Sequence, residues 1–576
     1  MLDTDIDLPP SFWTSRLFIV TLTLCVTLLL LSAYVFLLRK PPLIISEKTT
    51  RITGPLTADG EIDFFKALEQ RFYPPELATD DNGFRDFVRL FGNVSDDATG
   101  PDREFYRLQK YEKLGLDPNV PPTLALPFEP HTVVNNFYKA KGEPVPTKPF
   151  SFSSGNPWTF DEFPMLEEWI RDVDVPLNAI AEAVRKPIFY VPLRQSRESV
   201  ESGKPEALLN VLLPDIQLSR SIARMFQARA TFRIGQGNID GAIDDKLTIH
   251  RLGRHTTHQS GFMVQYLVGI ANEGGAVAIP VGANPECPLT ETQIRRLLDG
   301  LDALPPRAAI ADAFEGERYF GLSCIQGVAR RDAKFSELTG GGPGFDALFA
   351  PLAFSCNWNV VYRRMNEIYD AMQEPPPRTK FHSLVGAAAL SPTTGIFLSL
   401  LTPHGRGDRV ADILIDRLTP ATDAFEEAAR RSNCTENMQR LALAILLYQL
   451  EHGQLPDENW ATQIEKYLGD NPQRYFSCPS NPSPDGETTY ALVLYDNRDG
   501  DTVAGSLLLV ELTSPVPLDK AVVSVDDVLR RKGIGSLHPG GMNTAHRSTA
   551  VRFLAKTATE ELEQLLERKS KSTEEE

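Results

Sequence analysis

From Leu17 to Leu38 the chain carries 22 consecutive residues without a charge, mostly Leu, Val, Ile, Thr and Phe. As a helix rising about 1.5 Å per residue, such a run reaches roughly 33 Å, enough for the hydrocarbon core of a bilayer. The sequence therefore predicts a single transmembrane helix over residues 17–38, with membrane lipid as its first partner. Trp13 and Tyr34 suit the interfaces, and Arg39-Lys40-Pro41-Pro42 closes the segment. A cleaved signal peptide would show a shorter apolar core and a small-residue cleavage site, and neither is seen. Arg39, Lys40, Lys48 and Arg51 outnumber Arg16 among Asp3, Asp5 and Asp7, so the flanking charges put the large body in the cytoplasm.

The remainder is too long for one hydrophobic core, which sets an expectation of about two to four domains. A short tail (1–16) precedes the apolar run, and a polar linker (39–60) follows it. Residues 61–164 form a small region ending in Pro-punctuated connection, 165–415 a mainly helical domain, and 420–576 an α+β domain. In the helical part Leu218, Ile222, Met225 and Phe226 share one face, Gly235 and Gly237 interrupt the pattern, and Ile239 resumes it. The stretch ARATFRIGQGNIDGAIDD resembles one tetratricopeptide-type hairpin, but no second copy follows at a fixed period, which favours a packed helical domain over a solenoid. Thr290 and Gln293 spell a capping box. Further on, a helix is predicted from Asp423 to Leu450, stopping at His452-Gly453. A hairpin of Thr488–Tyr495 and Val503–Glu511 follows, then a strand over Ala550–Leu554 and a terminal amphipathic helix marked by Leu562, Leu565 and Leu566.

Two stretches of the C-terminal part carry a family likeness. The first is CTENMQRLALAILLYQLEHGQLPDENWATQIEKYLGDNPQRYFSCPSNP, with Tyr448, His452-Gly453, Pro456 and Cys478-Pro479. The second is LLLVELTSPVPLDKAVVSVDDV followed by GSLHPGGMNTAHRSTAVRFL, with Glu511, His538-Pro539-Gly540-Gly541 and Asn543. They resemble the prepilin-like proteins of planctomycete bacteria, whose hallmark is a His, nine residues, then Asp-Gly. Here nine residues after His538 stand Ser548-Thr549, so the hallmark turn is degenerate, and the prepilin processing site is absent. The N-terminal stretch LTADGEIDFFKALEQRFYPPELATDDNGFRDFVRLFG is similar to other large planctomycete membrane-anchored proteins of unknown function. The resemblance implies a pseudopilin-like α+β module and, against the flanking charges, an extracytoplasmic body. It brings no known activity. It also implies structural roles for His538, Gly540, Gly541 and Asn543, with the glycines in backbone conformations other residues avoid.

Other constellations are thin. A net charge of −17, spread along the body, excludes nucleic acid as a partner. Six cysteines without a CxxC exclude a zinc ribbon or thioredoxin-type site, but Cys434 and Cys478 flank the C-terminal helix and are a possible disulfide in an oxidising compartment. His250, His255 and His258 lie close in sequence; His255 and His258 can share a helix face and bind a metal, whereas His250 points about 140° away from His255. The bland alternative is a polar helix surface. The turn holding Asp496, Asp499 and Asp501 is oxygen-rich enough for calcium, with a plain hairpin turn as its alternative. Gly340-Gly341-Gly342-Pro343-Gly344 lacks the Gly-Lys-Ser/Thr of a phosphate loop, and no nucleophile elbow occurs. The sequence thus reads as a membrane-anchored cell-envelope protein with a structural or protein-binding role, envelope or secretion-like partners and no cofactor. The alternatives are a membrane-tethered, metal-dependent hydrolase using the three histidines and a calcium- or ligand-sensing ectodomain.

Overall fold

The computed structural model describes residues 16–33, 41–94, 101–145, 156–211, 213–259, 261–330, 332, 355–374, 378–389, 402–494, 507–531, 533–557 and 562. The chain divides into two compact units, each assembled from separated stretches. One comprises Met1–Ala67, Gly203–Asn210 and Glu317–Thr422; the other comprises Leu68–Ser202, Val211–Gly316 and Asp423–Glu576.

The expected transmembrane helix over 17–38 is corrected by this structure. The apolar run forms a described helix only over Arg16–Ala33, 18 residues long. At about 1.5 Å per residue it extends about 27 Å, short of a hydrocarbon core of about 30 Å. It also starts on an arginine. Among the described residues no helix is long and apolar enough to cross a membrane. An uncharged run is not by itself a span: the described helix has too few residues for the hydrocarbon core. The described fold class is α+β, without a transmembrane element.

The first unit is helical. Its helix Trp358–Met372 buries Trp358, Val361, Tyr362, Met365 and Tyr369 along one side. Arg318 is buried beside it, bonded to Asp370 at 2.7 Å and Asn366 at 3.2 Å, with its guanidinium over the Tyr369 ring. Asn359 and Asn366 hold the extended segment near residues 42–50 by side-chain bonds to Pro42 O, Ile44 N and Thr49 O.

The second unit has a helical part and a sheet. Helices Pro214–Gly235, Ile239–His258 and Met263–Val277 pack together. The first break falls where the glycines predict it: the helix ends at Gly235, Gly237 takes φ +73°, and the Asn238 side chain caps the next helix through Gly241 N. The second and third helices approach closely at Gly253, where a Cβ would stand 2.7 Å from Gly269 O. The Thr290/Gln293 capping box forms and starts helix Glu291–Asp302.

The C-terminal part of this unit is a long helix laid on a five-stranded sheet. The helix as a whole runs Pro403–His452, twenty residues earlier than its expected start, and its residues from Asp423 onward belong to this unit. From Cys434 onward, Met438, Leu441, Ala442 and Ile445 recur on one face at helical spacing and are fully buried. Gly453, at φ +74°, releases the chain. Strands β1 (Glu487–Leu494), β2 (Leu507–Pro517), β3 (Val522–Ser524), β4 (Gly541–His546) and β5 (Val551–Ala555) lie in the order β3-β1-β2-β4-β5. All pairs are antiparallel except β1 with β3. The sheet is covered on both faces: Tyr490, Leu492 and Leu509 pack with the helix, while Ala491, Val493 and Val510 join Met542 and Leu554 on the other side. At about 25 cal/mol per Å² such two-sided burial supplies the main stabilisation of the module.

Candidate functional site

Helix, sheet and loops of this module bring four chemically active side chains together. Glu427 and Cys434 stand seven residues apart on the long helix, two turns along one face. The register of β1 against β2 sets Tyr490 beside Glu511, both buried. Cys478 is placed by the loop after Phe476, its N–H donating to Thr489 Oγ1 at 2.8 Å. His538 enters from the loop before β4, its N–H donating to Ser536 Oγ at 3.0 Å.

The sulfurs of Cys434 and Cys478, a carboxylate oxygen of Glu511 and a ring nitrogen of His538 all lie within 4.8 Å of one another. His538 Nε2 is 3.3 Å from Glu511 Oε1 and 3.4 Å from Cys478 Sγ. The Cys434 thiol donates to Glu511 Oε1 at 2.6 Å. Asn543 donates to Cys434 Sγ from its amide nitrogen at 3.4 Å, and Tyr490 does so from its hydroxyl at 3.2 Å. The far oxygen of Glu511 accepts from Asn543 N at 2.5 Å, which fixes the near one toward the sulfurs. On the other side of the imidazole, Nδ1 bonds Glu427, and Ser480 Oγ lies 3.3 Å away.

The charges are strongly biased. Burial pushes the His538 imidazolium down, but hydrogen bonds to Cys478 and Glu511, with the nearby Glu427, outweigh it and hold the ring charged up to about 10. A hydrogen bond from Cys434 pulls the Cys478 thiol down to about 6, against burial and with help from His538. Burial, with Cys478 and Glu511 beside it, drives the Cys434 thiol well above the ordinary thiol range. Glu511 stays below the usual carboxylate range: burial opposes ionisation, and His538 overcomes it. The surroundings thus favour ionisation at Cys478 over Cys434, and both cysteines are unbridged.

Gly540 takes φ +88°, and a Cβ on Gly541 would fall 2.1 Å from Leu554 O, so the two glycines let the loop turn and β4 close onto β5. The degenerate turn carries Thr549 at φ +66°. Elsewhere, the three neighbouring histidines are placed apart in role. His255 Nε2 donates to Val184 O at 2.9 Å, and His258 Nε2 donates to Pro306 O at 2.6 Å. His250 is buried, with both ring nitrogens lacking a hydrogen bond among the described residues. Asp496, Asp499 and Asp501 lie outside the described residues, as does the 340–344 glycine run.

Sequence reasoning singled out Cys434, Cys478, Glu511, His538 and Asn543 but not their convergence, and it missed Glu427 and Tyr490. The i, i+7 spacing of Glu427 and Cys434 was the one available signal.

Residues 424–477 match a family described as a protein of unknown function (DUF1559). That stretch covers the second half of the long helix and ends one residue before Cys478. No curated protein matches the chain, and no solved structure does.

Proposed function

We propose that this chain is a structural or protein-binding component of the cell envelope, not an enzyme, and that the Cys434/Cys478/Glu511/His538 centre is an internal clasp. The observation that carries this reading is burial. The four residues expose between 0 and 2% of their surface, so a substrate has no approach to the sulfur or imidazole. On the Nδ1 side of the ring, Glu427, at 20% side-chain exposure, reaches toward solvent. Buried groups at hydrogen-bond distance of one another, drawn from helix, loop and three strands, hold elements together.

The prepilin-like reading has support of its own: a long helix lies on a mostly antiparallel sheet, and the second half of that helix falls in the DUF1559 match. Such modules serve assembly, so the partners are other envelope proteins. A hydrolase built on His250, His255 and His258 draws less support, because two of those rings are committed to backbone carbonyls.

The test compares the whole chain with its His538→Gln variant, using thermal unfolding and turnover of simple ester, phosphoester and peptide substrates. The expected result is earlier unfolding in the variant, with no substrate turned over by either protein. A turnover that disappears in His538→Gln while unfolding stays unchanged would overturn the reading.

A further inference from the structure

We infer that the clasp is a binding site for a thiophilic divalent cation, zinc(II) foremost, with Cys434, Cys478, Glu511 and His538 as its ligands. This rests on reading the centre as structural. Two thiolates, an imidazole and a carboxylate are a donor set zinc takes tetrahedrally, with sulfur at about 2.3 Å and nitrogen or oxygen at about 2.0–2.2 Å.

Those bond lengths fix the edges of the tetrahedron. A nitrogen–oxygen edge should measure about 3.3 Å and a nitrogen–sulfur edge about 3.6 Å. The structure holds His538 Nε2 at 3.3 Å from Glu511 Oε1 and 3.4 Å from Cys478 Sγ. The Cys434–Glu511 edge, at 2.6 Å, has to open by about 1 Å to the oxygen–sulfur edge of the same figure. Cys434 sits on a helix and Glu511 on a strand, so a change of side-chain rotamer accomplishes it.

The surroundings are a second, independent observation. A metal-bound histidine usually gives its other ring nitrogen to a carboxylate, which fixes the tautomer and orientation. His538 does this, with Nε2 facing the sulfurs and Nδ1 against Glu427. Asn543 N holds the far oxygen of Glu511, and Tyr490 and Asn543 donate toward Cys434 Sγ, as second-sphere groups do for a thiolate ligand. Buried metal sites of this kind contribute directly to folding.

The experiment is metal analysis of the full chain, produced without a metal-affinity tag, in the presence of zinc. Cobalt(II) substitution reads out thiolate ligation by its charge-transfer absorption. We expect one zinc per chain, a thiolate–cobalt band, and loss of both in Cys434→Ser/Cys478→Ser. His255→Gln should keep both. Because the double variant removes two buried core side chains, Glu427→Gln serves beside it: this residue ligates nothing, and its loss should weaken zinc affinity about 10- to 100-fold with the fold intact. A metal-free chain with two titratable thiols overturns the inference, as does a Cys434–Cys478 disulfide recovered from zinc-replete protein or an unchanged affinity in Glu427→Gln. Zinc-dependent turnover of a substrate would instead sink the structural reading while leaving the ion in place.

Discussion

Two buried polar centres in the same unit handle charge in opposite ways. The first joins Arg254, Arg307 and Arg440 to Glu273, Glu436 and, at its edge, the exposed Asp302. Arg254 lies 2.6 Å from Glu436 and 3.2 Å from Glu273, Arg307 lies 2.8 Å from Glu273, and Arg440 bonds Asp302. Three cations face three anions, so the network closes on itself. Burial alone would raise the Glu436 carboxyl, yet Arg254, Arg307 and Arg440 bring it down to about 2. The second centre sets two cysteines, Glu511 and Glu427 around the one imidazole of His538, with Arg430 3.7 Å from Glu427 on the outside. It is rich in anions and short of cations. A balanced network needs nothing further, whereas an unbalanced one of soft donors is completed by a metal ion.

The sharpest way to break this comparison is to unbalance the first centre. Glu436→Ala leaves two buried arginines short of a partner and should cost about 3–5 kcal/mol. Urea unfolding reads this as a lower midpoint, and a chelator should leave that loss unchanged. A loss below about 1 kcal/mol would mean that the network is not what holds this region.

A second test uses the helical histidines. Burial lowers His255 to about 4, with His258 and Arg251 acting in the same direction against the bonds to Val184 and Lys186. The folded state therefore keeps a neutral ring between about 4 and the ordinary value of 6.5, where the unfolded chain binds a proton. Stability should fall as pH drops from 6.5 to 4, by an amount on the order of 3 kcal/mol for this group. His255→Phe, which keeps the ring stacked on Phe189, should flatten that slope by about one proton. An unchanged slope in denaturant titrations would show that His255 is not the group responsible.

Smaller effects are expected where the backbone does the balancing. Lys246 is buried and donates to Ala276 O, Val277 O and Ile279 O at 2.7, 3.2 and 3.0 Å. Lys246→Met strands these carbonyls and should lower stability by about 1–3 kcal/mol; equal or higher stability would mean that water replaces the ammonium. The smallest effect has the opposite sign. Thr549 holds a left-handed conformation, with its hydroxyl buried and without a hydrogen bond among the described residues. Thr549→Gly should raise the melting point by the equivalent of about 1 kcal/mol, and a fall would show that the threonine methyl matters more than its backbone.

Some of this was legible in advance because it is local. The Gly237/Asn238 break, the Thr290/Gln293 box and the helix stop at Gly453 follow from caps and left-handed glycines, which depend on neighbours within a few residues. The second half of the long helix and strands β1 and β5 were readable from periodicity. β4 was not, since GMNTAH is buried throughout and lacks an apolar alternation. The apolar run misled for the same local reason: composition reports how oily a segment is, whereas the described helix on it is too short to cross a bilayer. By itself, then, the sequence determined where the chain turns, where its C-terminal helix stops, and that His538, Cys434 and Cys478 were worth singling out. Only the tertiary structure decided that these three meet Glu511, because separations of 44, 33 and 27 residues in the chain carry no distance information until the sheet register and helix packing close the loops between them.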